Sequence, residues 1–291
     1  MIDPKDLSAK AENTWCPGCP NFMILQAFKE VVAELDNENK IKIENTAIVT
    51  GIGCHAKIFD YVNINSFSGL HGRVLPILLG TKLSNPNLKV VGFGGDGDTF
   101  SEGASHFIHS CRRNADLTML VHDNQVFALT VGQPTPTSEI GFLDGYPPPG
   151  VIDHPLNPIA LALISGATFV ARASALDKEH LKVILKQAIE HKGFSFVDIL
   201  QPCIIFHNVV PYFQKNIYKL DETYSRSDFK GALEKALEWD YCFDKGAKIP
   251  IGVFYQIKKP TLEEQLSVPK IPWHKVERKI DWEGMVGGFK S

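Results

Sequence analysis

The chain has 291 residues, with 30 Lys plus Arg against 33 Asp plus Glu and 44% hydrophobic side chains. That length can bury a sizeable core, as one large α/β domain or one domain with a tail. Near-balanced charge without a long basic block argues against nucleic acid as the main partner, and the longest apolar stretch, residues 159–171, is broken by Ser165, Gly166 and Thr168 and is too short to span a bilayer. The opening MIDPKDLSAK has no apolar core for export, so the expectation is a soluble cytoplasmic protein. In that compartment six cysteines point to metal or catalysis more than to disulfides.

Residues 15–21 read WCPGCPN. Cys16 and Cys19 form a C-x-x-C, which alone fits half a zinc site, a redox pair or chance. A helix is predicted over 22–35, with Phe22, Leu25, Ala27, Phe28, Val31, Val32 and Leu35 as its apolar set and Asn21 as N-cap. Residues 46–50 (TAIVT) read as a buried strand running into Gly51-Ile52-Gly53-Cys54-His55-Ala56-Lys57. His71-Gly72-Arg73 opens onto a helix start at Val74-Leu75-Pro76. Taken alone, His71 reads more readily as structural than as a ligand.

Residues 89–133 are the most informative stretch. A short run, Val90 and Val91, is expected to stop at a glycine turn made by Gly92, Gly94, Gly95 and Gly97, with Asp96 and Asp98 inside it. A helix follows on Ala104, Phe107, Ile108 and Cys111, with Arg112 and Arg113 at its negative end. A second strand over 117–121 then delivers Asn124. This pattern suits Mg²⁺ held against a diphosphate, because magnesium takes a few protein oxygens and fills its octahedron with phosphate and water. Asp96 can supply a carboxylate, Asn124 an amide oxygen and Val126 its carbonyl, while loop N–H groups and the helix start face the phosphates. GDGD alone equally fits a turn in some other α/β protein; the spacing to Asn124 shifts the balance.

Residues 132–150, rich in Pro and Gly, read as a surface loop ordered by a neighbour. A short helix is predicted over 157–166 and a strand over 168–171. An amphipathic helix follows over 178–191 on Leu181, Ile184, Leu185, Ala188 and Ile189, closed by Gly193. A strand over 196–200 ends at Gln201-Pro202-Cys203. Residues 206–291 are charged, aromatic and punctuated by Pro250, Pro260, Pro269 and Pro272, with a helix-like stretch at 228–239 and a strand-like one at 251–257. They read as an irregular extension packed on the core or on another subunit.

Cys54, Asp96, Asn124 and Cys203 each follow a strand. Open parallel sheets bind ligands at their carboxyl edge. Cys16 and Cys19, just before the first helix, can lie at that edge too. Four converging thiolates fit Zn²⁺ or a 4Fe–4S cluster. One close pair joined by two distant single cysteines leans toward the cluster. Cys111 reads as core and Cys242 as structural.

A GDG followed, after the next strand, by Asn resembles the thiamine-diphosphate motif; that superfamily often has Asn-Asn where this chain has Asp123-Asn124. Together WCPGCPN, GIGC, HGRVLP, GDGD and NQVFALT resemble the β subunit of the 2-oxoacid:ferredoxin oxidoreductases, over residues 15–206. The resemblance implies a thiamine-diphosphate-binding α/β fold, a mostly parallel sheet flanked by helices, with residues 1–205 as the cofactor domain and 206–291 as the extension. It implies 4Fe–4S ligands at Cys16, Cys19, Cys54 and Cys203, and Mg²⁺ ligands at Asp96, Asn124 and the Val126 carbonyl. Thiamine contacts would come from Ile52, Gly53, Cys54, His55, His71, Gly95, Gly97, Asp98, Ala128 and Leu129. Lys57 would meet the substrate carboxylate, although the usual C-S-G-K is here Cys54-His55-Ala56-Lys57, and His71 could hydrogen-bond the reacting oxygen. The implied reaction is CoA-dependent oxidative decarboxylation of a 2-oxoacid to acyl-CoA and CO₂, with electrons passed through the cluster to ferredoxin. An α subunit would supply a glutamate that activates the coenzyme. The alternatives are a non-redox thiamine-dependent 2-oxoacid decarboxylase subunit and a non-catalytic scaffold with structural zinc.

Overall fold

The computed structural model describes residues 1–143, 150–221, 223–244, 246–277 and 281–288. Short runs with Val, Ile, Leu and Phe form the strands β1 (Thr46–Thr50), β3 (Lys89–Gly95) and β4 (Thr118–Asp123), while β2 (Asn65–Ser68) is a polar, exposed strand at the sheet edge. A two-residue ribbon, β5 (Val126–Phe127) with β6 (Gln133–Pro134), stands apart. Then come β7 (Phe169–Ser174), β8 (Ser195–Leu200), β9 (Ile217–Lys219) and β10 (Ile249–Gln256). Eight strands make one sheet in the order β2-β1-β3-β4-β8-β7-β10-β9. Neighbours are parallel except β10, which runs antiparallel to β7. The central strands β4, β7 and β8 are buried at every residue, as expected when helices cover both faces of a parallel sheet.

One face is covered by helices α1 (Asn21–Asn37) and, later in the chain, Lys178–Glu190, with Phe28, Val31, Leu181 and Leu185 buried against Val91, Phe93 and Val197. Phe28 meets Phe93 edge to face at 4.9 Å, and each such fully buried side chain contributes roughly 1.5–3 kcal/mol. Between them in sequence lie α2 (Ile58–Tyr61), α3 (Val74–Ser84), α4 (Ala104–Arg113) and α5 (Pro158–Ile164), so the Lys178–Glu190 helix is α6. Helices α3, α4 and α5 pack Leu78, Phe107 and Ile159 on the opposite face. Helices α7 (Val210–Asn216) and α8 (Phe229–Ala236) belong to the C-terminal part. Cys111 is fully buried in the second core, among these apolar side chains.

The strand predicted over 46–50 and the helix start at Val74 stand where expected. Three local expectations need correction. Asn21 is not the N-cap of α1: Pro20 occupies that place, and the Asn21 side chain accepts from His122 Nδ1 at 2.7 Å. The strand at Val90 does not stop at the glycines but runs through Gly92, Gly94 and Gly95. The reason is packing: a Cβ on Gly92 would lie 2.5 Å from Leu78 and 2.8 Å from Val74, so glycine lets α3 sit directly on β3. The Pro/Gly segment after Gly132 is not all surface, since Thr135, Thr137 and Ser138 are buried; its residues 144–149 lie outside the described residues.

The C-terminal part adds β9 and β10 to the sheet edge. Its attachment includes a fully buried polar group. Arg172 on β7 donates from Nε to Asp198 Oδ2 at 2.9 Å and from Nη2 to the Tyr241 hydroxyl at 3.1 Å. That hydroxyl donates to Asp198 Oδ2 at 2.5 Å. The guanidinium also lies over the Trp239 ring, 5.1 Å from its centroid. Tyr241→Phe removes one donor and one acceptor from a site without water access. Urea unfolding is expected to show a loss of about 1–3 kcal/mol, with unchanged cofactor content.

Candidate functional site

Four adjacent parallel strands end along one edge. In β1 Thr50 pairs with Phe93, in β3 Gly95 pairs with His122, and in β4 Asp123 pairs with Leu200. The segments that follow therefore leave the sheet together. They enclose two cavities. The first, about 140 Å³, is lined by Ile52, Gly53, Cys54, His55, His71, Gly95, Asp96, Gly97, Asp98, Asn124, Val126, Ala128 and Leu129, with Phe127 and Thr130. Every residue expected to touch magnesium or thiamine thus faces one space. The second, about 60 Å³, is lined by Cys16, Cys19, Cys54 and Cys203, together with Lys57, Gln201 and others. Cys54, Asn124 and Ala128 belong to both walls.

Asp98 is the hub of the first cavity. It begins a π-helical turn, Asp98–Glu102, an uncommon geometry that often marks functional sites. Its Oδ1 accepts from Gly72 N at 2.7 Å, His71 Nδ1 at 2.6 Å and Ile52 N at 3.3 Å. His71 Nε2 lies 3.2 Å from Glu102 Oε2, so the imidazole bridges two carboxylates. Asp98 Oδ2 is buried with no hydrogen-bond partner, as is Nε2 of His55, 3.8 Å away. Burial pushes His55 down to about 3, only partly opposed by Asp98, so it stands neutral. Orphaned acceptor and imidazole atoms lining a cavity are what a polar heterocyclic ligand would satisfy. The close approach of Asp98 to β1 requires Gly51, where a Cβ would lie 2.0 Å from Asp98 Oδ2. Gly51→Ala must displace that carboxylate from Gly72 and His71. Calorimetry is expected to show thiamine diphosphate affinity lower by about 10-fold or more, the worth of one charged hydrogen bond.

Asp96 is buried at the end of β3. Its Oδ2 accepts from Thr135 Oγ1 at 2.6 Å and Thr137 Oγ1 at 2.8 Å. Burial dominates those bonds and pushes its carboxyl up to about 6. Opposite it, Asn124 Oδ1 accepts from Val126 N at 3.1 Å. A cation between Asp96, Asn124 Oδ1 and the Val126 carbonyl would hold the Asp96 charge that burial otherwise disfavours. The donor set is all oxygen, which suits Mg²⁺. The neighbouring Asp123 is fully buried, accepting from Gln125 N at 3.2 Å, with the Thr137 hydroxyl oxygen 3.1 Å from the same Oδ1. Burial, then the Asp198 and Asp96 carboxylates, push it well above the carboxylate range. That upward push disfavours a charge at Asp123, the position where the more usual pair has asparagine.

At the second cavity, none of the cysteines is in a disulfide. Burial pushes the Cys19 thiol up to about 11, and burial also raises Cys54. The Cys54 carbonyl accepts from Trp15 Nε1 at 2.7 Å, which fixes the 51–57 segment against the C-x-x-C turn. Phe206 N donates to Cys203 Sγ at 3.4 Å. Among the described residues, no three His, Cys, Asp or Glu side chains are arranged to hold one metal ion by themselves. Lys57 lines this cavity and not the first, with Nζ 3.4 Å from the Thr14 carbonyl. Sequence reasoning missed Thr135, Thr137, Phe127, Trp15 and Gln201. The only signal for the threonines was their place in PTPTS, which composition reads as loop.

Residues 51–199 match the family "Thiamine pyrophosphate enzyme, C-terminal TPP binding domain", and residues 203–270 match the C-terminal family of the pyruvate ferredoxin oxidoreductase beta subunit. The 2-oxoacid:ferredoxin oxidoreductase subunit beta of Saccharolobus solfataricus is 41% identical over 275 residues, 89% of this chain and 87% of that one. The 2-oxoglutarate synthase subunit KorB of Archaeoglobus fulgidus is 34% identical over 250 residues, 86% of each chain. Among solved structures, the 2-oxoglutarate:ferredoxin oxidoreductase from Magnetococcus marinus, with 2-oxoglutarate, coenzyme A and succinyl-CoA bound, aligns at a TM-score of 0.88 and 32% identity. The alignment covers 100% of this chain and 97% of that one. With its thiamine-type strand edge, its two adjoining cavities and relatives matched over nearly their whole length, this chain belongs to the β subunits of the 2-oxoacid:ferredoxin oxidoreductases, a family of oxidoreductase enzymes.

Proposed function

We propose that the chain binds thiamine diphosphate and Mg²⁺ in the larger cavity and a 4Fe–4S cluster in the smaller one. With an α subunit it would carry out CoA-dependent oxidative decarboxylation of a 2-oxoacid, passing electrons to ferredoxin. The observation that carries this is the shared wall of Cys54, Asn124 and Ala128 between the two cavities. It puts a two-electron carbon chemistry next to a one-electron carrier. A single zinc ion draws four sulfurs to about 3.8 Å of one another, given Zn–S near 2.3 Å; thiols standing around a cavity suit a polyatomic cluster better. The decarboxylase reading leaves the four-thiol cavity without a redox task, and the scaffold reading leaves the larger cavity without a ligand.

When bound, thiamine diphosphate supplies the carbanion that opens the 2-oxoacid, and the cluster supplies a one-electron path. The chain's own residues hold and orient. Asp96, Asn124 and the Val126 carbonyl take the magnesium. Gly95, Gly97, Ala128 and Leu129 would line the coenzyme's cavity with Ile52, Gly53, Cys54 and His55, the two glycines making room for the His55 and Phe127 rings that also line it. Asp98 holds His71 in one orientation through Nδ1. Its Nε2 meets the Glu102 carboxylate, so a substrate oxygen would reach His71 by displacing Glu102 from Nε2. Lys57 follows Cys54 by one helical turn and would meet the substrate carboxylate where the two cavities adjoin. We take residues 1–205 as the cofactor domain and 206–291 as an extension packed on it. The protein would work in the cytoplasm.

The test is anaerobic purification together with the α subunit, assay of iron and thiamine diphosphate, and a screen of 2-oxoacids for CoA-dependent viologen reduction. Brown protein with four irons and CoA-dependent turnover is expected. Colourless, iron-free protein that releases CO₂ without reducing the dye would favour the decarboxylase.

A further inference from the structure

Strands β4 and β8 end in register, and the next residue of each is an amide, Asn124 and Gln201. Gln201 N donates to the Asp123 carbonyl at 2.8 Å, so the two amides leave the sheet side by side. Gln201 is almost fully buried. The side chains form one oriented row. Val126 N–H donates to Asn124 Oδ1 at 3.1 Å, which aims Asn124 Nδ2 the other way. Nδ2 donates to Gln201 Oε1 at 3.4 Å. Gln201 Nε2 then donates to the Pro202 carbonyl at 3.2 Å and to Cys19 Sγ at 3.9 Å. Turning either amide over would set donor against donor or oxygen against oxygen. The row starts at the amide facing the magnesium site and ends on a cysteine sulfur.

We infer that Gln201 is a positioning residue that couples occupancy of the magnesium–diphosphate site at Asn124 to the reduction potential of the cluster held through Cys19. The inference rests on the cofactor assignment proposed above. An N–H donor on a ligating sulfur stabilises the extra negative charge of the reduced cluster. A cation on Asn124 Oδ1 polarises that amide, strengthens its N–H toward Gln201 Oε1, and by the same cooperativity strengthens donation from Nε2 to sulfur. The coupling is reciprocal, so reduction of the cluster tightens the magnesium–diphosphate site by the same factor. No bond of Gln201 is made or broken; the measured step is addition of one electron, from dithionite, to the oxidised cluster.

The experiment is an EPR-monitored redox titration of the holoenzyme with its α subunit, for wild type, Gln201→Leu and Gln201→Glu, with and without Mg²⁺–thiamine diphosphate. Gln201→Leu is expected to lower the equilibrium constant for reduction about fivefold, the worth of one neutral hydrogen bond. That is ~40 mV more negative at 59 mV per tenfold for one electron. Gln201→Glu, with a carboxylate in place of the donor, is expected to shift further the same way. Withdrawing the coenzyme and magnesium should lower the wild-type potential and leave the Gln201→Leu potential in place. A Gln201→Leu enzyme with full iron and the wild-type potential overturns the inference, as does an equal response of both to withdrawal. If Gln201→Leu loads iron poorly, Gln201→Glu at full iron decides by the same readings. Wild-type protein that takes up no iron overturns the cofactor assignment itself, and this inference with it.

Discussion

Asp96→Asn is expected to raise the stability of the cofactor-free protein while abolishing magnesium-dependent thiamine diphosphate binding. The metal-free fold buries the Asp96 carboxyl and lifts it from 3.8 to about 6. The folded state therefore binds that proton more tightly than the unfolded chain. Stability contributed by the protonated form is fully present below the unfolded value, falls as pH rises through this window, and is lost above about 6. At neutral pH the charged carboxylate destabilises the empty fold by something on the order of 3 kcal/mol. Asparagine keeps an oxygen to accept from Thr135 and Thr137 and removes the charge. Its melting temperature without cofactor is expected to rise by about 5 °C or more. The wild-type rise in melting temperature on adding magnesium with thiamine diphosphate is expected to vanish, and turnover to fall by at least about 100-fold, the upper range for losing even an outer-shell metal partner. Melting curves between pH 4 and 8, with and without the cofactor pair, measure both effects. A destabilised empty Asp96→Asn protein would mean that the carboxylate is compensated by a partner other than a bound cation.

The parts of this arrangement legible in the sequence were those set by strand chemistry. TAIVT at 46–50 and SFVDIL at 195–200 are short runs dominated by β-branched and apolar residues, and both are buried strands; Asp198, the one charge among them, is paired with Arg172. Each strand end then delivered a polar residue to a common edge, which follows from parallel topology alone. Gly92 misled because its role is set by α3, a partner distant from it in the fold's logic and invisible in local text. Thr135 and Thr137 were hidden for the opposite reason. Prolines around them say loop, and only the buried Asp96 carboxyl shows why hydroxyls are needed there. Lys57 lies beside the sulfurs because a tight turn at His55–Lys57 follows Cys54 and carries the chain back toward Thr14. Burial also bears on Asp123: the upward push on its carboxyl comes from the folded interior and the neighbouring carboxylates, not from the residue type.

Cys54→Ala is expected to give the converse of Asp96→Asn, loss of the cluster with the coenzyme retained. The Cys54 backbone is held by Trp15 Nε1 on its carbonyl, so truncating the side chain leaves the 51–57 segment in place. Asp98 and its contacts to Ile52, His71 and Gly72 do not involve the sulfur. Thiamine diphosphate binding is therefore expected to change by less than about threefold, within the range of a substitution that breaks no hydrogen bond. Iron content and the visible chromophore are expected to fall sharply, since four thiolates are the ordinary ligand set of a 4Fe–4S cluster. Ferredoxin reduction would drop by about 1000-fold or more, because the electron path and not the carbon chemistry is removed. Cys111→Ala is the control: that thiol is fully buried among apolar side chains, and its loss is expected to lower stability without touching iron. High pH should favour cluster assembly in wild type, because burial holds the Cys19 proton up to about 11 and metal uptake must release it. Full iron in Cys54→Ala would remove that residue from the ligand set. Joint loss of iron and coenzyme would show that the two cavities fold as one unit, so that the shared wall of Cys54, Asn124 and Ala128 is a structural dependency as well as an electron path.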